Sequence, residues 1–313
     1  MGRRVGVIGV GMSKFGKHPA DPGAFKEFGS QACIKAIEDA NISQNDIEAA
    51  YVGNVGVMGL TQGPLIGNLV LERAGISKIP TTRVEAGCAS ASCALREAYM
   101  AISAGIYDVA LVLGIEKMLT PLSTKERLRN MMQGSDLEFE GTMGITFPGI
   151  FAMIATRRMT KVQTTREQMA MVAVKNHGNA IHNPYAHLPQ ELKVEDVLNS
   201  RPISYPLTLY ECCPMSDGAA AAILATEEFA KKVSDMPIYI AASAQTSGSF
   251  KDDFDYINLK SSIEAAKKAY EMAKVGPNDV DFAEVHDCFS IAEIMHYEEL
   301  GFCKVGEGGK LIG

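Results

Sequence analysis

Tryptophan is absent from the 313 residues, and aromatic side chains amount to only 7%. That leaves little material for the base-stacking platforms that single-stranded nucleic acids require. Positive charge is not in excess either: 30 Lys and Arg face 37 Asp and Glu, for a net charge of −7. A phosphate-backbone binder normally presents a basic face, so nucleic acid is not an expected partner. No run of about 18 apolar residues occurs, so no membrane-spanning helix is expected. The opening MGRRVGVIGV is broken by Gly6 and Gly9, with Gly11 following, and reads as a first strand, not a signal peptide. There is no Cys-x-x-Cys. The seven cysteines (33, 88, 93, 212, 213, 288 and 303) form an odd set without paired spacing, which points to an intracellular, cytoplasmic thiol protein without disulfides. His177, His182 and His187 recur every five residues around Pro184. That spacing shares no helix face, so no metal site is expected there.

What is present is ordinary globular material: 47% hydrophobic residues, 21% charged, mean hydropathy +0.02. Length alone suggests roughly two domains. Periodicity predicts strands at 4–10, 48–53, 81–85 and 109–113, with helices over 25–40 and about 88–104 between them. Strands alternating with helices imply parallel pairing in an α/β sheet. Gly9-Val10-Gly11 after the first strand has Lys14 where a dinucleotide fingerprint needs its third glycine, so that cofactor class is not supported.

The chain also repeats itself. With the numbering shifted by 233, residues 4–11 overlie 237–244 and residues 32–52 overlie 265–285. Ala32, Lys35, Ala36, Glu38 and Ala40 match Ala265, Lys268, Ala269, Glu271 and Ala273, and Asn45-Asp46 matches Asn278-Asp279. A strand, helix, turn and strand recur in the same order, which indicates duplication. Between the halves lies a proline- and methionine-rich segment with helix-like stretches near 149–160 and 165–180, where substrate-binding loops tend to sit. The vicinal pair Cys212-Cys213 reads as structural, and Asp252, Asp253 and Asp255 as a solvated turn.

Two constellations carry chemistry. Cys88 follows Gly87 at the junction of a strand and a helix rich in small residues (Ala89, Ser90, Ala91, Ser92). Unpaired N–H groups at a helix start lower a thiol pKa and make a nucleophile, whereas Cys93, in mid-helix, fits a small buried filler. The second constellation is His286-Asp287-Cys288-Phe289, at the end of an expected strand and before a helix at 290–300. Both sit at carboxyl ends of strands, where open α/β sheets bind ligands. One thiol can take an acyl group while the other moves a proton.

Together, Gly87-Cys88-Ala89-Ser90, Ser216-Asp217-Gly218-Ala219-Ala220 and His286-Asp287-Cys288-Phe289 resemble the thiolase superfamily over nearly the whole chain. Lys175-Asn176-His177 and Asn183-Pro184-Tyr185 resemble its sterol-carrier-protein-2 branch, to which archaeal acetoacetyl-CoA thiolases are similar. The resemblance implies an α/β fold of two duplicated βαβαβαββ halves in α-β-α-β-α layers. Residues 1–116 with 217–232 would form the first half, 117–216 an inserted loop domain against which coenzyme A lies, and 233–313 an incomplete second half.

The resemblance also implies a reaction: condensation of two acetyl-CoA to acetoacetyl-CoA, or the reverse thiolysis. Cys88 would carry the acyl group, His286 would help form the oxyanion hole, and Cys288 would be the acid–base thiol. Coenzyme A thioesters would be substrates, with no permanently bound cofactor. A homodimer or homotetramer is implied. The archaeal likeness implies a place in mevalonate and isoprenoid synthesis, in a complex with hydroxymethylglutaryl-CoA synthase and a small OB-fold zinc protein. Thiolases also carry a Gly-His-Pro motif whose His activates the nucleophile, and none of the six His stands in one here. The expectation is therefore that the remaining part lies beyond Gly313 or on a separate polypeptide, and that these 313 residues alone turn over slowly. A degradative 3-ketoacyl-CoA thiolase and a non-catalytic acyl-CoA-binding or scaffold homologue stay open as alternatives.

Overall fold

The computed structural model describes residues 2–21, 23–56, 65–119, 121–123, 125–126, 130, 132, 135–249 and 255–312. Asp252 and Asp253 lie outside the described residues. Asp255 is exposed in a turn, where its carboxylate accepts from Ile257 N at 2.9 Å.

In chain order the elements are β1 (Val5–Met12), α1 (Ala24–Ala40), β2 (Ala49–Gly53), α2 (Ile66–Arg73), β3 (Thr81–Val84), α3 (Ser90–Ser103) and β4 (Val109–Glu116). There follow α4 (Phe147–Lys161), α5 (Arg166–Ala180), α6 (Val194–Leu198), β5 (Pro202–Ser204), β6 (Leu207–Thr208) and β7 (Gly218–Thr226). The last are α7 (Glu227–Val233), β8 (Ile238–Tyr239), α8 (Lys260–Ala273) and α9 (Ser290–Glu299). Among the described residues, no helix is long and apolar enough to cross a membrane.

Two compact units form. The first comprises Met1–Gly134, Tyr185–His187 and Met215–Ser243. Its six-stranded sheet has the order β3-β2-β4-β7-β1-β8. β2 pairs in parallel with β3 and β4, while β7 runs antiparallel to both β4 and β1, and β8 antiparallel to β1. The parallel pairing expected where strands alternate with helices holds for β2, β3 and β4, and the antiparallel β7 and β8 make the sheet mixed. β7 is reached through the long central segment and not through the one-helix crossover that joins parallel neighbours, so its direction is not tied to theirs.

Both faces of this sheet are covered, which is why its central strands read as unbroken apolar runs. Val109, Leu111, Leu113 and Ile115 pack with α1 and α2 on one side, and Ala110 and Val112 with Ala94, Ala98 and Ile102 of α3 on the other. Gly9 and Gly11 serve this packing: a Cβ on either would lie 2.3 or 2.2 Å from the carbonyl oxygens of Ala36 and Ala32.

The second unit comprises Ser135–Pro184, Leu188–Pro214 and Ala244–Gly313. Its core joins Ala152, Ile154 and Ala155 of α4, Met169 and Val172 of α5, and Ile291, Ile294 and Met295 of α9. Inside it a guanidinium is fully enclosed: Arg158 meets Glu298 at 2.6 Å, with neither side chain exposed.

The duplication appears as matched local structure. α1 ends at Ala40 and α8 at Ala273, 233 residues on, and the residues that follow, Asn41 and Lys274, both adopt left-handed conformations (φ 51° and 58°). Each helix is followed by a single 3₁₀ turn, Gln44–Asp46 and Pro277–Asp279, closed by an aspartate accepting from a backbone N–H at 2.8 Å. The strands match less well. Residues 281–286, expected as a strand by analogy with β2, have no strand assignment, and only Ile238–Tyr239 of the segment matching β1 pairs in a sheet. A helix closes its hydrogen bonds within itself, whereas a strand exists only with a neighbour.

Candidate active site

Cys88 lies in the first unit. The spacing predicts that it opens the helix; instead it precedes α3 by two residues, on the turn that leads into it. Gly87 takes φ +57°, and Ala89 N and Ser90 N donate back to Ala86 O and Gly87 O, both at 3.1 Å. Buried Ser90 staples the turn: its hydroxyl donates to Gly87 O at 2.6 Å and accepts from Ala86 N at 3.0 Å. The residues flanking the cysteine in the Gly-Cys-Ala-Ser run therefore each have a physical reason. Glycine supplies the left-handed turn, serine closes it, and the alanines keep the helix thin.

The thinness matters because the start of α3 crosses the carboxyl ends of β2 and β4. A Cβ on Gly53 would sit 2.4 Å from Ala91 N and Ala91 Cα. Backbone cannot yield as a flexible side chain does, so Gly53→Ala should push the start of α3 outward. We expect a loss of about 1–3 kcal/mol, read as a lowered urea midpoint, and slower alkylation of Cys88. Unchanged values for both would show that α3 does not depend on this contact.

Glu116 stands at the same end of the sheet, closing β4. One carboxylate oxygen accepts from the Asn54 side chain at 3.0 Å, from Gly56 N at 3.2 Å and from Val55 N. Its other oxygen is buried without a hydrogen-bond partner among the described residues. Burial raises the Glu116 pKa despite those donors. Arg83 donates to the carbonyls of Asn54 and Val55 at 3.3 and 3.0 Å and steadies the same loop.

The Cys88 pKa runs opposite to the expectation from the helix start. The residue is exposed, yet desolvation of its thiol raises the pKa, outweighing a backbone hydrogen bond, and the Glu116 carboxylate pushes the same way. A positive helix end counts for little when the sulfur lies ahead of the first turn and beside an acid.

Further into this unit, Asp217 anchors the Ser-Asp-Gly run. Its carboxylate accepts from Lys117 Nζ at 2.6 Å, Leu119 N at 2.7 Å and His18 N at 3.1 Å, with both ionic side chains 1% exposed or less. Ser216 Oγ lies 2.6 Å from His187 Nδ1.

His286 and Cys288 lie in the second unit, together on the irregular segment entering α9. His286 and Asp287 are exposed and Cys288 is half-buried. Burial of the imidazole, and then the nearby His296, hold the His286 pKa below the ordinary histidine range, although Asp287 opposes them. The ring is thus neutral at pH 7 and keeps one N–H to donate.

The segment is pinned on both sides. Cys213 N donates to Cys288 O at 2.9 Å, and Cys212 bridges Phe289 in antiparallel fashion. Asn176 of α5 donates to Asp287 at 2.7 Å and to Glu293 at 2.6 Å. Glu293, 2% exposed, also binds Lys175 Nζ at 2.5 Å and accepts from the Tyr297 hydroxyl. The Phe289 ring stacks on Phe151 with centroids 4.5 Å apart.

Sequence reasoning missed Glu116, Asn54, Glu293 and Tyr297, and quoted Asn176 only for its likeness. A signal existed for two of them, since Glu116 ends an apolar strand and Glu293 interrupts the run Ile291-Ala292-Ile294-Met295. Of the three regularly spaced histidines, His177 lies edge-on to Tyr210 and has Nδ1 2.9 Å from Leu188 O. Among the described residues no group of three His, Cys, Asp or Glu could hold a metal.

Comparison with known proteins bears on this arrangement. The family described as "Thiolase, N-terminal domain" matches residues 5–201, and "Thiolase C-terminal domain-like" matches residues 242–313. An acetyl-CoA acetyltransferase of Methanothermobacter thermautotrophicus is 43% identical over 310 residues, 98% of this chain and 80% of the relative. Sterol carrier protein 2 of Bos taurus is 35% identical over 324 residues, 99% of this chain and 59% of that protein. Among solved structures, the "Ltp2-ChsH2(DUF35) aldolase" superposes with a TM-score of 0.82 at 23% identity, covering 99% of this chain and 80% of that one.

Proposed function

Because this chain belongs to the thiolase family, we propose that it joins two acetyl-CoA molecules into acetoacetyl-CoA through an acyl-cysteine. The carrying observation is an exposed thiol held on a stapled glycine turn at the carboxyl end of a sheet. The 43% identity to an archaeal acetyl-CoA acetyltransferase supports the choice of substrate.

In this reading Cys88, as thiolate, attacks the carbonyl carbon of the first acetyl-CoA. The thioester bond to coenzyme A breaks, and the acetyl group stays on Cys88. Cys288, as thiolate, removes an α-proton from the second acetyl-CoA, and that proton ends on the coenzyme A thiolate released in the first step. Neutral His286 donates its N–H to the enolate oxygen, a type of contact worth roughly 10²–10³ in rate. The carbanion then attacks the acetyl group on Cys88, the C–C bond forms, and Cys88 leaves as thiolate. The product would feed mevalonate synthesis, with hydroxymethylglutaryl-CoA synthase and a small OB-fold zinc protein as partners; co-purification from native extract tests that assignment.

The test of the chemistry is acetyl transfer. Incubation with acetyl-CoA should release a burst of one equivalent of coenzyme A ahead of slower turnover and leave an acetyl group on the peptide holding Cys88. Acetylation of another residue, or none, overturns the reading.

A further inference from the structure

We infer that Cys213 and Cys288 form a dithiol modification site that a low-molecular-weight disulfide closes into a protein disulfide. The inference builds on the acid–base role proposed for Cys288 and gives that residue a means of being switched off.

The geometry comes from backbone pairing. Cys212 bridges Phe289 antiparallel, and Cys213 N donates to Cys288 O at 2.9 Å. The bridge is an isolated one, and the hydrogen bond from Cys213 N to Cys288 O carries the pairing one residue further, so that 213 stands opposite 288. Directly opposed residues share a face of the ribbon. At a hydrogen-bonded position their Cα atoms stand about 5.5 Å apart, inside the range of roughly 4.4–6.8 Å that disulfides span. Neither cysteine is in a disulfide here.

The same alternation separates the vicinal pair. Cys212 points to the other face, where its Sγ donates to Thr208 O at 3.3 Å, and burial pushes its pKa up to about 12. Cys212 therefore keeps the structural role read from the sequence, while exposed Cys213 meets solvent.

With glutathione disulfide as oxidant, the Cys213 thiolate attacks one glutathione sulfur. A Cys213–glutathione bond forms and one glutathione leaves. The Cys288 thiolate then attacks the Cys213 sulfur, forms the Cys213–Cys288 bond and releases the second glutathione. The two thiol protons end on the two glutathiones. The protein loses two electrons and the small disulfide gains them.

The experiment treats the full chain with glutathione disulfide, digests it without reduction and maps the linked peptides. A peptide joining Cys213 to Cys288 is expected, with the condensation rate down at least tenfold and restored by dithiothreitol. Cys213→Ser should start at the wild-type rate and resist the loss, while Cys212→Ser should be inactivated like wild type. A Cys212–Cys213 link, a stable glutathione adduct on Cys213, or inactivation of Cys213→Ser as fast as wild type overturns the inference. A Cys213–Cys288 link with an undiminished rate upholds the pair and overturns the acid–base role of Cys288 instead.

Discussion

Cys88→Ser is expected to lower the rate of acetyl transfer on the order of 10³-fold or more, with the acetylated peptide absent. The hydroxyl fits the turn, but it is a far weaker nucleophile than a thiolate. The wild-type protein should add a pH signature. Its thiol pKa is raised, first by desolvation and further by Glu116, so the reactive thiolate is scarce at neutral pH. Iodoacetamide alkylation of Cys88 should therefore keep accelerating above about pH 8.5, where an ordinary cysteine is already half ionised. Glu116→Gln removes the negative charge yet keeps an oxygen for Val55 N and Gly56 N. It should shift the profile to lower pH. A profile levelling off near that of free cysteine, unmoved by Glu116→Gln, would remove both causes at once.

The largest stability effect is expected at Asp217. Replacing it by alanine strips Lys117 of its counter-charge and leaves Leu119 N and His18 N without an acceptor, in a place where the lysine side chain is 1% exposed. Breaking a buried ion pair by removing one partner costs about 3–5 kcal/mol. Denaturant titration of Asp217→Ala should show a loss of that size. Lys117→Met combined with Asp217→Ala should lose less than Asp217→Ala alone, because the apolar replacement leaves no charge stranded. Equal losses in the single and double variants would mean that the backbone donors to Asp217, and not the lysine, account for its value.

Legibility followed the range of the interactions. The helix period in residues 25–40 was visible because its hydrogen bonds are local, and α1 was found with one residue of extension at its start. The repeat was visible for the same reason, and the left-handed caps at Asn41 and Lys274 bear it out at the level of single dihedrals. The antiparallel insertion of β7 between β4 and β1 was not visible. Nothing in GAAAAILAT says which strands will flank it, since pairing joins residues far apart in sequence. The cluster around Glu116 was hidden likewise, because its contacts to Asn54, Val55 and Gly56 cross some 60 positions.

Amino-acid order settled the long helices such as α1, where the thiols and the imidazole fall along the chain, and the family they mark, since these depend on neighbours along the chain. Three-dimensional packing settled the strand order, the stapling of the Cys88 turn against the sheet end, and the direction in which each titrating group shifts. A pKa answers to the solvent excluded and the charges gathered around an atom. Cys88 shows the difference: the helix that follows it argued for a stable thiolate, while burial and a carboxylate from a distant strand end turned the balance the other way.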